Sequence, residues 1–482
     1  MKRLGTIAVI AGLLLATALF YRLRPEETPP ETTEVKVTKP TPVPVKQEPT
    51  PTTHAAADGT LELEAGISHG YIASANAEDV YAAIDISAKE IEGGTRPPLN
   101  LAVVIDRSGS MRGSKLEYAK RAAMRLVDEL EPHDRLSIIS YASGVSVDIS
   151  SRKATRAAKA SMRAAVQQIY AGGGTNISGG YSRGFQEVQR WKTEESVNRV
   201  VLLSDGKATV GVTNPYSLES MARTNLQQGV SLTTMGVGLD YNEDLMAGMA
   251  DQGAGNYYFI DQPNTVVSIF ESEFDGLAKT VARNTSLVIS LAEGVDVENL
   301  YGFSFERSDN QVMVALAEFQ SGEKKNILLK LKTSAKSAGK LPVMDIDLSY
   351  EDVTDDGAKN QNVALSSVVT DDIAKTKTEI NVDVISRVQQ VEVAESLKEA
   401  MVAYDRGDKA QAQQVLEKRR SSLRRARKKY DLQEPAFAEA ESELAETAND
   451  MDRYDSSSNS GKRMIKKKKA RGRMILLDKT SF

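Results

Sequence analysis

The 482-residue chain has no cysteine, three histidines and one tryptophan. The absence of cysteine excludes disulfides, thiolate metal sites and cysteine nucleophiles. It leaves the compartment open, because a cysteine-free chain suits either redox environment. With only His54, His69 and His133, an imidazole-rich metal centre or a Ser-His-Asp triad is hard to assemble. His133 falls in the connection Glu131-Pro132-His133-Asp134 and reads as a solvated loop residue; the other two read as incidental. A composition of 41% hydrophobic and 26% charged residues fits a soluble body rather than a fibre or a multi-span membrane protein.

An apolar run at residues 7–21 follows Lys2 and Arg3 and is flanked beyond by Arg22 and Arg24. Its length lies between a signal-peptide core and a short membrane span. Residues 1–24 are therefore expected to be an uncleaved anchor or a signal peptide cut near Ala18. Either way the body is expected to be exported, anchored in the cell envelope by a single pass or released as a secreted or periplasmic protein. Charge is unevenly spread. Residues 456–482 hold nine Lys or Arg and one Asp, a local +8 against −5 for the whole chain, which leaves −13 elsewhere.

Residues 25–58 contain Pro25, Pro29, Pro30, Pro40, Pro42, Pro44, Pro49 and Pro51 and are expected to form an extended linker. Residues 59–97 carry a period-two pattern at Val80, Ala82, Ile84 and Ile86, the mark of a half-buried strand. Over 98–284, apolar strand-like runs (99–105, 136–141, 200–203, 232–237, 257–260) alternate with helical patterns such as Leu116, Ala119, Ala123, Leu126 and Leu130. That alternation predicts an α/β domain with a doubly wound, mostly parallel sheet. Residues 285–372 return to short strands and predict a β-sandwich joined by the 59–97 strands, with the α/β domain inserted into it. Residues 373–455 read as a helical hairpin region, and 456–482 as a basic disordered tail.

Chemistry concentrates in three segments. The run 100–105 ends in Asp106-Arg107-Ser108-Gly109-Ser110, a buried strand leading to a carboxylate and two hydroxyls. Gly172-Gly173-Gly174-Thr175-Asn176 brings one more hydroxyl on a flexible backbone. The run 201–203 ends in Ser204-Asp205-Gly206. In doubly wound sheets, sites form outside the carboxyl ends of strands near the switch in strand order. Two carboxylates and three hydroxyls are hard oxygen donors, which select Mg²⁺, Mn²⁺ or Ca²⁺ over zinc or copper. Helix capping would explain Asp106 or Ser108 alone but not the three segments together.

Asp-x-Ser-x-Ser, a Thr in a glycine-rich loop and Ser-Asp-Gly after a strand, in this order, resemble the metal-ion-dependent adhesion site of von Willebrand factor A domains. Asp134-Arg135-Leu136-Ser137, Met235-Gly236-Val237-Gly238 and Gly255-Asn256-Tyr257-Tyr258 fit the same pattern. The layout is similar to exported bacterial members of the family and to inter-alpha-trypsin inhibitor heavy chains. The resemblance implies that Ser108 and Ser110 bind a metal directly, Asp106 and Asp205 partly through water, and Thr175 directly or through water. It implies an open position for a carboxylate from a partner. Met111-Arg112-Gly113 stands where integrin-type members have further acidic residues, so an adjacent second ion is not expected.

The expected function is a non-enzymatic, metal-dependent protein-binding (adhesion or scaffold) protein of the cell envelope, with an unidentified protein partner offering an Asp or Glu. The alternative is a metal-dependent hydrolase using the same carboxylates, which lacks an evident general base. A single span cannot line a pore, which argues against a channel component. Arg406-Gly407-Asp408 spells an adhesion tripeptide but reads as a turn whose Asp opens a helix. Residues 400–416 resemble one tetratricopeptide-like unit, and one copy is too few for a solenoid. Lys and Arg at 418–429 face Glu439, Glu441, Glu443 and Glu446 as an oppositely charged helix pair. The denser cluster Lys462, Arg463, Lys466 to Lys469, Arg471 and Arg473 reads as a solubilising tail or as a patch for an anionic envelope component. Without interleaved aromatics, nucleic acid is not expected there.

Overall fold

The computed structural model describes residues 53–74, 79–91, 96–334, 338–355, 357–432 and 435–477. The expected anchor or signal and the Pro-rich segment up to residue 52 lie outside them. Among the described residues, no helix is long and apolar enough to cross a membrane.

Four strands come first: β1 (Thr53–Asp58), β2 (Leu61–Ile67), β3 (Tyr71–Ala73) and β4 (Val80–Ala88). The expected linker bound at residue 58 is corrected: residues 53–58 are a strand and pair antiparallel with β2. Through the strand no proline interrupts the backbone N–H groups available to a ladder, and Gly59-Thr60, with Gly59 at φ +72°, supplies the hairpin turn.

The α/β domain follows. Its strands are β5 (Leu99–Asp106), β6 (Arg135–Tyr141), β7 (Val145–Lys153), β8 (Val197–Ser204), β9 (Ser231–Val237) and β10 (Ala254–Ile260). Its helices are α1 (Ser114–Glu129), α2 (Arg156–Gln167), α3 (Ile177–Gln189), α4 (Pro215–Gln227), α5 (Glu243–Gln252) and α6 (Val266–Ala278). The sheet order is β10-β9-β8-β5-β6-β7, parallel except for β7. Strand β5 is buried along its whole length because both faces are covered. Leu101, Val103 and Ile105 pack toward α1, α2 and α6, while Ala102 and Val104 pack toward α3, α4 and α5. Strand β7 carries no clean alternation and was not legible in the sequence; it is an antiparallel edge strand with a mostly polar, half-exposed sequence.

The chain then returns to β structure: β11 (Thr280–Leu291), β12 (Val295–Tyr301), β13 (Glu306–Ser308), β14 (Gln311–Gln320), β15 (Lys324–Thr333), β16 (Gly339–Asp352) and β17 (Gly357–Thr370). Two sheets, β1-β2-β4-β15-β12 and β13-β14-β11-β16-β17-β3, enclose one apolar core. The α/β domain is thus spliced between β4 and β11, one strand from each sheet. Arg199 of β8 fastens it to the sandwich. This buried guanidinium donates to Glu273 of α6 (2.7 Å) and Glu318 of β14 (2.9 Å). Burial works against its charge, but Glu318 and Glu273 outweigh that and raise its pKa.

Four helices end the described chain: α7 (Val382–Asp405), α8 (Lys409–Tyr430), α9 (Pro435–Arg453) and α10 (Asn459–Leu476). Helix α7 lays Val384, Val388 and Val391 on the outer face of the five-stranded sheet, against Ala83 and Leu328. Asp408 caps α8 by accepting from Gln411 N–H (2.9 Å).

The expectation of a disordered basic tail is corrected: residues 459–476 are helical and docked. Met464 and Ile465 enter the core of the helical region, and Ser458 caps the first turn. The cations meet carboxylates of the α/β domain: Arg463 with Asp261 (2.7 Å), Lys467 with Asp261 (3.4 Å), Lys469 with Asp244 (2.9 Å), and Arg473 with Asp251. Lys468 meets Glu443 of α9 at 2.8 Å. The cluster read as a patch for an anionic envelope component is therefore largely committed inside the molecule.

Candidate metal centre

The site forms where the strand order switches direction, at the adjacent carboxyl ends of β5 and β8. Their parallel register sets Ile105 beside Leu203, so Asp106, Ser204 and Asp205 emerge side by side. Asp106 is completely buried. One of its carboxylate oxygens accepts from Ser108 N–H (2.8 Å) and the other from the Ser204 hydroxyl (2.7 Å). Burial raises its pKa, while Ser204 and Ser108 oppose the rise.

After Asp106 a single 3-10 turn, Gly109–Met111, is plugged into the core by the fully buried Met111. This turn lifts Ser110 over the strand ends. The Ser108 and Ser110 hydroxyl oxygens lie 3.1 Å apart, and the Ser110 hydroxyl donates to Asp205 (2.7 Å). Asp205 is also fully buried, and its second oxygen accepts from the Lys115 ammonium (2.6 Å).

The glycine-rich loop completes the ring. Gly172 N–H donates to Arg107 O (2.8 Å), Gly109 N–H to Gly173 O (3.0 Å) and Asn176 N–H to Ala142 O (2.9 Å). Gly173 has φ +86°, a conformation that side-chain-bearing residues rarely adopt. Thr175 N–H donates to the Thr209 hydroxyl (2.9 Å), and Thr175 O accepts from Thr209 N–H (2.9 Å). A side chain at Gly206 would come within 3.3 Å of the Thr175 hydroxyl oxygen and 3.6 Å of that of Ser110. Both hydroxyls thus face one small space, kept free by the lack of a Cβ.

All five residues singled out in the sequence are brought together. Two participants were not singled out. Ser204 was visible only as part of Ser-Asp-Gly, with nothing to show that its hydroxyl turns back to Asp106. Lys115 carried a faint signal: it is a cation in the first turn of a helix, where the backbone dipole disfavours one.

The donor set fits a divalent cation. Two fully buried carboxylates face one cationic side chain, Lys115, which leaves the cluster with a negative charge to neutralise. The other donors are neutral hydroxyl oxygens. Among the described residues, no group of three or more His, Cys, Asp or Glu side chains offers a rival metal site.

The family model described as von Willebrand factor type A domain matches residues 100–272. YfbK of Escherichia coli (strain K12) is 34% identical over 208 residues, 43% of this chain and 36% of that protein. Inter-alpha-trypsin inhibitor heavy chain H4 of Bos taurus is 31% identical over 169 residues, 33% of this chain and 18% of that one. The chain thus matches about a third or less of the length of these curated relatives. A solved structure described as von Willebrand factor type A from Catenulispora acidiphila superposes with a TM-score of 0.67 at 18% identity, over 83% of this chain and 91% of that chain. At that identity the likeness shows the fold. Strand order, strand-end site and sequence matches agree: this chain carries a von Willebrand factor type A domain at residues 100–272.

Proposed function

We propose that the protein is a non-enzymatic, metal-dependent binding protein that captures a protein partner through an Asp or Glu of that partner. Asp106, Ser108, Ser110, Thr175 and Asp205 are the residues that would hold the ion, Mg²⁺ in the first place, with Mn²⁺ or Ca²⁺ as the alternatives. When bound, such an ion supplies a Lewis-acidic position for an external carboxylate. The observation that carries the reading is the pair of fully buried carboxylates, only one of them with a cationic partner, beneath three convergent hydroxyls.

The surroundings suit an acidic partner. The site loops 106–115, 172–176 and 205–212 carry Arg107, Arg112, Lys115 and Lys207, and their only carboxylates are the buried Asp106 and Asp205. Tyr170, 77% exposed, lies under the Arg107 guanidinium at 6.0 Å and offers an aromatic contact at the rim. The contacts favour binding over hydrolysis. Asp106 and Asp205 are held as acceptors by Ser108 N–H, Ser110, Ser204 and Lys115, and the site loops carry no histidine and no third carboxylate to serve as a separate general base. A place in the cell envelope, behind residues 1–24 as anchor or signal, belongs to the same proposal; a chain recovered wholly in the cytosolic fraction overturns that part.

The test is calorimetric titration of the full-length protein with Mg²⁺, Mn²⁺ and Ca²⁺ after chelator treatment. Asp106→Ala and Asp205→Ala are expected to abolish binding while retaining the circular dichroism of the wild type. A wild type that binds none of the ions, or variants that bind as well as it does, overturns the proposal.

A further inference from the structure

Lys115 is the second residue of α1, and nothing in the helix favours it there. A helix amino terminus carries a positive partial charge and prefers acidic side chains. Its place is explained by where its side chain goes. The ammonium lies 2.6 Å from the Asp205 carboxylate, and the side chain is 24% exposed. On the other flank is the turn after β9, where a Cβ at Gly238 would come within 3.4 Å of Lys115 Cε and 3.5 Å of its Nζ. The side chain therefore runs in a slot between Asp205 and that turn.

The charge count at the site gives the slot a consequence. Asp106 and Asp205 contribute two negative charges and Lys115 one positive charge; the other three donor residues are neutral. We infer that Lys115 is a positioning residue that sets the charge of the loaded site, an inference that rests on the metal-binding reading above. With Lys115, a site loaded with a divalent ion carries a net positive charge and attracts an anionic ligand; without it the loaded site is neutral. The same charge repels the metal. Lys115 thus weakens metal affinity and strengthens carboxylate capture. Before loading, it holds Asp205 against Ser110 and offsets the repulsion between the two buried carboxylates.

The two effects have opposite signs, which makes them testable together on the full-length protein. Mn²⁺ alone is titrated into wild type, Lys115→Met and Lys115→Arg, with Asp106→Ala as the control. Acetate binding at saturating Mn²⁺ is then read from the relaxation of its carboxyl ¹³C signal. Lys115→Met is expected to bind Mn²⁺ roughly tenfold tighter and acetate several-fold weaker, with Lys115→Arg close to wild type. Lys115→Gln removes the same charge should Lys115→Met not fold. Unchanged or weaker Mn²⁺ affinity in a folded charge-removed variant, with Asp106→Ala abolishing binding, overturns the role of Lys115 alone. No Mn²⁺ binding by wild type or any variant overturns the metal reading and this inference with it.

Discussion

Asp106 shows how much of a candidate site lies outside the residues proposed as its ligands. Its carboxylate is aimed by two donors, the Ser108 amide and the Ser204 hydroxyl, and the Ser204 hydroxyl also accepts a long hydrogen bond from Gly206 N–H (3.4 Å). Partners of this kind commonly alter metal affinity by ~10–100-fold when lost. Ser204→Ala is accordingly expected to weaken Mg²⁺ affinity roughly tenfold in calorimetry and leave the circular dichroism unchanged. Equal affinity in wild type and variant would remove Ser204 from the site. The convergence of the five residues proposed as donors was legible in the sequence because each follows a buried strand or sits in a glycine run, and the fold collects strand ends. Ser204 and Lys115 were not, because their roles depend on side-chain direction across two strands and on a helix start 90 residues from Asp205.

At the scale of elements, α10 is where the sequence misleads. A run of lysines without internal carboxylates reads as a repelling, solvated tail. Its compensating charges sit some 200 residues earlier, at Asp244, Asp251 and Asp261, and only the fold brings them near. Lys466 is the buried cation of the helix, 3.7 Å from Glu243 of α5 and 3.8 Å from the Tyr241 ring centre. Burial pushes the Glu243 carboxyl up to about 7, with Lys466 and Lys469 opposing, and lowers the Lys466 pKa. Glu243 is raised above its unfolded value. Its stabilising share is therefore complete below that value and is lost as pH rises through about 7. Glu243→Gln should remove this slope. Relative to the variant, the wild type is expected to lose up to about 3 kcal/mol between pH 5 and pH 8 in urea unfolding. A constant difference between the two proteins across that range would contradict the assignment.

At the scale of the whole molecule, the inserted domain and the sandwich share a buried ionic junction. Arg199 serves Glu273 and Glu318 at once, and Thr233, Asn256 and Tyr258 add donors to Glu273. Replacing Arg199 by Met leaves two carboxylates buried without their cation. Loss of one partner of a buried pair costs ~3–5 kcal/mol, so Arg199→Met should lower the unfolding free energy by about that much, as measured by urea denaturation. A loss below ~1 kcal/mol would mean that the carboxylates find another partner or take up protons. The sequence made the alternation of fold classes readable, and with it the insertion. The junction was not readable, because Arg199 occupies an ordinary position near the start of a strand.

The manner of insertion also bears on force. Under the proposed function, a partner tugging at the Asp106 site pulls on two covalent connections to the rest of the protein, one between β4 and β5 and the other from the end of α6 into β11. Strand β4 is bonded on both sides, by β2 and β15, and β11 likewise, by β14 and β16. Neither tether is an edge strand that could be unzipped rung by rung. A load applied at the site divides between two separate sheets and is resisted in each by a pair of ladders, so the mount is expected to withstand tension better than a single terminal tether would.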